Sequence, residues 1–251
     1  MMYWLLKNVF IGPFLRLLYR PKARGVENIP GDGPVILASN HFSFIESMFI
    51  PLVIKRRVVF LAKADYFTSA RTAWFFRAAG QIPIKREGGS ASEAAIQAGV
   101  RELRNGHVVG IYPEGTRSPD GRLYRGKTGV ARMALLARSP IVPIAVFGTR
   151  ELQPIGKRMP KLSGRIEVHF GKPLSFERFY GQETDRFVLR SITDEVMYEI
   201  MMLSGQEYVD EYASKVKAQQ LAEANAPLSG EPAETAGSVQ DPSSRESVAK
   251  P

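Results

Sequence analysis

The stretch PVILASNHFSFIES, residues 34–47, decides the fold. Pro34 to Ser39 carries no charge and leans on aliphatic residues, the pattern of a strand covered on both faces. The apolar run stops at Asn40-His41, and a helical pattern follows from about residue 43 to 55. The same alternation continues along the chain. VVFLAKA (58–64), VVGIYPE (108–114), IVPIAVFG (141–148) and RIEVHFGKPL (165–174) read as strands. Helical periodicity fills the intervals at about 69–79, 91–104 and 128–138, and again from about 184 to 217. This predicts an α/β domain with a central, largely parallel or mixed sheet flanked by helices. In open sheets of this kind ligands gather where strands end and helices begin. Two such junctions hold unusual polar groups: SNHFSFIES after the first strand and YPEGTRS after the third.

The chain of 251 residues, 44% hydrophobic, is long enough for one well-buried core. It contains no cysteine, which excludes disulfide frameworks, thiolate nucleophiles, Cys-ligated zinc and iron–sulfur clusters. The formal charge is +9; residues 218–251 hold five acidic and two basic side chains, so the preceding 217 carry about +12. A basic body suits an anionic partner, whether nucleic acid, an acidic membrane surface or a phosphorylated substrate. Residues 218–251, rich in Ala, Ser, Pro, Gly and Glu, predict a disordered tail. Residues 1–22 are the opposite, with Tyr3, Trp4, Phe10, Phe14 and several leucines beside Lys7, Arg16 and Arg20. Their apolar runs are too short and interrupted to span a bilayer, and no small-residue cleavage site follows. They predict an amphipathic membrane-interface helix, kinked near Pro13; the alternative is a helix that packs its apolar face on the core. The expected division is therefore 1–22, an α/β domain over 23–217, and a tail from 218.

His41 leaves the first strand where its imidazole can project into a cleft. There it can take a proton from a hydroxyl, provided a second group holds the other ring nitrogen. Glu46 is the candidate for that group. The competing reading is a capping box: Ser43-Phe44-Ile45-Glu46 is S-x-x-E ahead of SMFIPLVI, with Glu46 bonding back to the Ser43 amide. In YPEGTRS, Gly115 lets the backbone approach a ligand, Thr116 and Ser118 offer hydroxyls, Arg117 presents a fork that fits phosphate oxygens, and Glu114 can accept from a substrate hydroxyl. These residue types outline a pocket for phosphate and polyol, or else a solvated turn with an exposed arginine.

At this point the sequence resembles a family. NHFSFIE is similar to the H-x-x-x-x-D signature of the PlsC-type glycerophosphate and lysophospholipid acyltransferases, GQIPIKR (80–86) to their second block, YPEGTRS to the third and IVPIAV (141–146) to the fourth. Four blocks in order, over roughly residues 35–150, make a specific match. The resemblance implies an enzyme of the 1-acylglycerol-3-phosphate acyltransferase type, active in phospholipid biosynthesis. His41 would be the general base oriented by Glu46. Arg86, Glu114, Gly115, Thr116, Arg117, Lys63 and Lys127 would hold the substrate. No cofactor or metal is implied; an acyl-CoA or acyl carrier protein thioester is the co-substrate. The partners it implies are the lysophospholipid acceptor and a membrane lipid surface rather than nucleic acid, with the protein on the cytoplasmic face of the cell membrane. One departure stands out: the family's usual aspartate is Glu46 here, one methylene longer, and a single side chain is not expected to serve both the imidazole and the cap fully.

Two other readings remain open at the level of sequence. A non-catalytic phospholipid-binding membrane protein would keep the phosphate pocket without turnover. Gly121–Thr128, GRLYRGKT, satisfies G-x-x-x-x-G-K-T, the phosphate loop of many NTPases, although it does not emerge directly from a strand and its Arg122, Tyr124 and Arg125 are bulky for such a loop. His41, His107 and His169 are too dispersed for a metal site, and His107 and His169 read as structural.

Overall fold

Every residue of β2 (Val35–Ser39) is buried, as a strand with helices on both faces must be, and it lies at the middle of a seven-stranded sheet. The structure, a computed structural model, describes residues 2–84, 89–154, 157 and 159–224. Around β2 run β1 (Lys22–Arg24), β3 (Val58–Lys63), β4 (Ile82–Ile84), β5 (Val108–Ile111), β7 (Ile141–Phe147) and β8 (Glu167–Phe170), in the order β1-β8-β7-β2-β5-β3-β4. A separate pair joins β6 (Leu123–Tyr124) to β9 (Tyr208–Val209). All neighbours in the large sheet are parallel except β7 and β8, so the sheet is mixed and largely parallel, as expected. From β2 the chain moves outward to β3 and β4, returns to β5 beside β2, then crosses to β7 on the other side. The carboxyl ends of β2 and β5 thus meet where the strand order reverses, the place such sheets keep for ligands.

Helices cover both faces: α1 (Met2–Leu5), α2 (Ile11–Tyr19), α3 (Glu46–Val53), α4 (Ala70–Ala78), α5 (Gly89–Arg104), α6 (Gly129–Ala137), α7 (Thr149–Leu152), α8 (Arg186–Ser204) and α9 (Ala213–Ala224). On one face Ile36, Ala38 and Val109 pack with Leu103, Met133 and Ile192 from α5, α6 and α8. On the other, Val35, Leu37 and Phe60 pack with Tyr19, Phe49 and Ile50. Each fully buried side chain of this size contributes roughly 1.5–3 kcal/mol relative to exposure.

The N-terminal segment packs one face on the body, as the core-packing alternative expects, and leaves the other exposed. Its inner face belongs to the body: Tyr19 is buried and its hydroxyl donates to Lys161 O at 2.7 Å, while Arg16 donates to Leu52 O at 3.1 Å. Its outer face shows Trp4, Phe10, Phe14 and Leu17, each between 57% and 73% exposed. The irregularity falls one turn before Pro13, as a π turn over Leu6–Phe10, because a proline disturbs the carbonyls that precede it. Among the described residues no helix is long and apolar enough to cross a membrane.

Two expectations change. The helix expected over 184–217 is two helices: α8 ends on Gly205 in the left-handed conformation, φ 66°, whose N–H closes on Met201 O. Helix α9 then runs to Ala224, past the boundary at 218 where the tail was expected to begin. Its Ala, Lys, Gln and Leu residues are all strong helix formers.

Candidate active site

His41 sits at the carboxyl end of β2, 9% exposed. Its Nδ1 lies 2.8 Å from Glu46 Oε2. The other Glu46 oxygen, Oε1, accepts from the amides of Phe42 at 3.0 Å and Ser43 at 2.9 Å and from the Thr149 hydroxyl at 2.7 Å. The expected competition between cap and imidazole does not arise, since the two oxygens divide the tasks. The capping bond to Ser43 is present and the imidazole bond with it. Glu46 is fully buried, and four donors meet the requirement that a buried carboxyl be satisfied. Helix α3 starts at Glu46 itself. With Nδ1 held, Nε2 has no hydrogen-bond partner among the described residues. The ring stacks on Tyr112, centroids 3.8 Å apart and planes 13° apart.

YPEGTRS follows β5 and embraces the same histidine. Ser118 N donates to His41 O at 2.7 Å, and His41 N donates to Glu114 Oε1 at 3.2 Å. Glu114 Oε2 takes the Tyr124 amide at 3.0 Å. Both Glu114 oxygens are therefore committed to backbone and the residue is 1% exposed, so the expectation that it accepts from a substrate hydroxyl gives way to a bracing role. Burial pushes its carboxyl up to about 8, opposed by those two amides. Gly115 has φ +72°, and a β-carbon there would come within 3.0 Å of the Lys127 side chain. Glycine thus allows Lys127 to lie over the loop. The Thr116 hydroxyl accepts from Lys217 Nζ at 3.0 Å, and Lys217 also donates to Arg117 O. The Arg117 guanidinium is exposed, with no hydrogen bond or ion pair among the described residues. Ser118 Oγ serves the turn, accepting from Gly121 N at 2.9 Å.

His41, Tyr112, Gly115 and Lys127 line one cavity of about 220 Å³, walled elsewhere mainly by apolar residues such as Leu61, Ile96 and Met133. Lys63 ends β3 at the same edge of the sheet. Arg86 lies outside the described residues, two positions after β4. Thr149, Lys217 and Gln206 carry no local signal in the sequence. The last bridges Asn40 at 2.8 Å and Gly121 O at 3.0 Å.

The NTPase reading fails on structure. Gly121–Thr128 contains β6, whose Leu123 and Tyr124 are fully buried and paired with β9, so the stretch is no loop of bare amides around phosphate. Asp120 instead gathers Arg122 and the Tyr124 hydroxyl at 2.8 Å each, and burial is outweighed by those bonds, which pull its carboxyl down to about 2. His107 and His169 pair with Glu102 and Glu167, at 2.8 and 3.2 Å, and neither lines the cavity.

A family model described as Acyltransferase matches residues 20–147, just over half of the chain. The chain is 30% identical over 179 residues to a chloroplastic 1-acyl-sn-glycerol-3-phosphate acyltransferase, BAT2, of Brassica napus, covering 71% of this chain and 49% of that one. It is 28% identical over 155 residues to the 1-acyl-sn-glycerol-3-phosphate acyltransferase of Bacillus subtilis (strain 168), covering 61% and 73%. The chain spans about half the length of the plant and algal relatives it matches. The crystal structure of PlsC from Thermotoga maritima has the same fold, with a TM-score of 0.60 and 24% identity over 82% of this chain and 75% of that one. With a family model matched over more than half of its length, the chain belongs to the acyltransferase family.

Proposed function

We propose that this protein transfers a fatty acyl group from a thioester, acyl-CoA or acyl carrier protein, to the free hydroxyl of lysophosphatidic acid or a related lysophospholipid. The observation that carries the reading is the buried Glu46–His41 pair, which spends Nδ1 and leaves Nε2 beside an apolar cavity. The names of the relatives agree with it. Nε2 takes the proton of the acceptor hydroxyl as the oxygen attacks the thioester carbonyl. The tetrahedral oxyanion then collapses, the C–S bond breaks, and the thiolate leaves with the proton from the imidazolium. No acyl-enzyme is needed, because the alcohol is itself the nucleophile. Glu46 holds the ring in the tautomer that can accept at Nε2 and offsets the imidazolium charge. Arg117, with Arg86 and Lys127, clamps the acceptor phosphate and so places the hydroxyl, which converts binding into orientation.

Acyl transfer from radiolabelled palmitoyl-CoA to lysophosphatidic acid tests this. His41→Ala loses about 10²–10⁴ in kcat with an unchanged melting temperature; a folded variant with full turnover would falsify the mechanism.

The exposed Trp4, Phe10, Phe14 and Leu17 seat the protein on the cytoplasmic face of a membrane, with the basic body toward anionic headgroups. Replacing Phe10, Phe14 and Leu17 together by Ser leaves the inner face of the helix packed and abolishes cosedimentation with anionic vesicles. Undiminished sedimentation rules this attachment out.

A further inference from the structure

Lys217 reaches the site from α9, about 70 residues beyond the end of the matched region. Its ammonium is half-buried and makes two bonds, to the Thr116 hydroxyl at 3.0 Å and to Arg117 O. Both residues carry donors of their own, the Thr116 hydroxyl and the Arg117 guanidinium, that bond to nothing among the described residues. The hydroxyl that accepts from an ammonium keeps its proton for a bond elsewhere. Holding Arg117 by its carbonyl leaves the guanidinium free to project.

Anchoring α9 does not require a cation. Ala213 is fully buried at the start of the helix, and β9 ahead of it pairs with β6. Partial burial lowers the Lys217 ammonium from its ordinary range, and Arg117 lowers it further, against the pull of Glu114. A cost of this kind is expected where the charge has a ligand to meet. Around Gly115 to Arg117 three cations converge: Lys127 over Gly115, Lys217 on Thr116, and the Arg117 guanidinium. The acidic residue among them is Glu114, whose oxygens face the amides of His41 and Tyr124. These three cations have no ion pair among the described residues, and the Arg117 guanidinium is exposed, an arrangement suited to a phosphate dianion.

We propose that Lys217 is a positioning residue for the acceptor's phosphate, fixing Thr116 as a donor and Arg117 as a clamp while adding its own charge to the anion pocket. The inference rests on the acyl-acceptor reading above, and deepens it by assigning to the C-terminal helix a share in acceptor recognition.

Calorimetric titration with sn-glycerol 3-phosphate tests the pocket without requiring turnover. Binding weakens about tenfold in Lys217→Met and recovers in part in Lys217→Arg, which keeps the charge. Thr116→Val weakens binding too, and the double variant Thr116→Val/Lys217→Met is no worse than Lys217→Met, since Lys217 acts on Thr116. In turnover, Lys217→Met raises KM for lysophosphatidic acid about tenfold while kcat and KM for palmitoyl-CoA stay within twofold. Lys217→Met binding glycerol 3-phosphate as the wild type does, or Lys217→Arg behaving as badly as Lys217→Met, overturns the proposal. Lys217-dependent phosphate binding in a wild-type protein that transfers no acyl group supports the pocket and overturns the acyl-transfer reading instead.

Discussion

The start of α3 and the loop after β5 each press a buried glutamate against His41, and the two carboxyls do different work. Glu46 and Glu114 are 0% and 1% exposed. Glu46 receives four donors, one of them the imidazole. Glu114 receives two, both backbone amides, and its carboxyl is pushed up to about 8 by burial. The number and kind of donors, rather than depth, separate an acid that turns the imidazole from one that braces the peptide carrying it.

The largest effect comes from removing that difference. In Glu46→Gln, Oε1 can keep the Phe42, Ser43 and Thr149 bonds, but an NH₂ then faces Nδ1, and the ring must accept there and protonate at Nε2. Turnover falls about 10²–10⁴, as for an orienting carboxylate lost from a triad, whereas Glu46→Asp, which restores the family's usual residue, recovers most of it. Steady-state kinetics on both variants checks this; a fully active Glu46→Gln would erase the contrast.

Glu114 predicts a pH effect on stability instead. Its folded value is raised, so the folded protein retains a proton that the unfolded chain releases between the ordinary glutamate range and about 8. The associated stability is complete below that range and is lost as pH rises through about 8, with a slope of up to about 1.4 kcal/mol per pH unit. Glu114→Gln, which cannot ionise, flattens that slope in denaturant melts between pH 6 and 9. An unchanged slope would place Glu114 in a less desolvated setting.

The smallest effect sharpens the boundary between the two regions. Tyr112 stacks on His41, and its buried hydroxyl has no partner among the described residues. Burial first, and Glu46 second, raise that phenol well above its ordinary value. Tyr112→Phe keeps the stack and removes the orphan group, so it stabilises the protein by about 1 kcal/mol with kcat unchanged. A loss of stability would mean that the hydroxyl is bonded.

Sequence carried the fold far because its main signals are local. PVILAS and IVPIAVF read as covered strands, and the helices at 91–104 and 128–138 fall within two residues of α5 and α6. The break between α8 and α9 was missed because apolar periodicity resumes after Gly205. The three-residue strands β1 and β4 are too short to show a period. In the site, His41 and Glu46 were legible because they are five residues apart on a strand–helix junction. Lys217 and Thr149 were not, because each reaches its partner across about 100 residues of chain with no pattern of its own. Glu114 was legible as a site residue but not in its role, since residue type cannot tell whether a carboxyl meets a substrate or an amide.

The most direct test of the central claim is the nitrogen NMR spectrum of His41 in ¹⁵N-histidine-labelled protein, assigned by comparison with His41→Ala. The account predicts that the neutral ring carries its proton on Nδ1, toward Glu46, and that Glu46→Gln moves it to Nε2. A neutral His41 protonated on Nε2 in the wild type could accept no proton from an incoming hydroxyl there and would contradict the account.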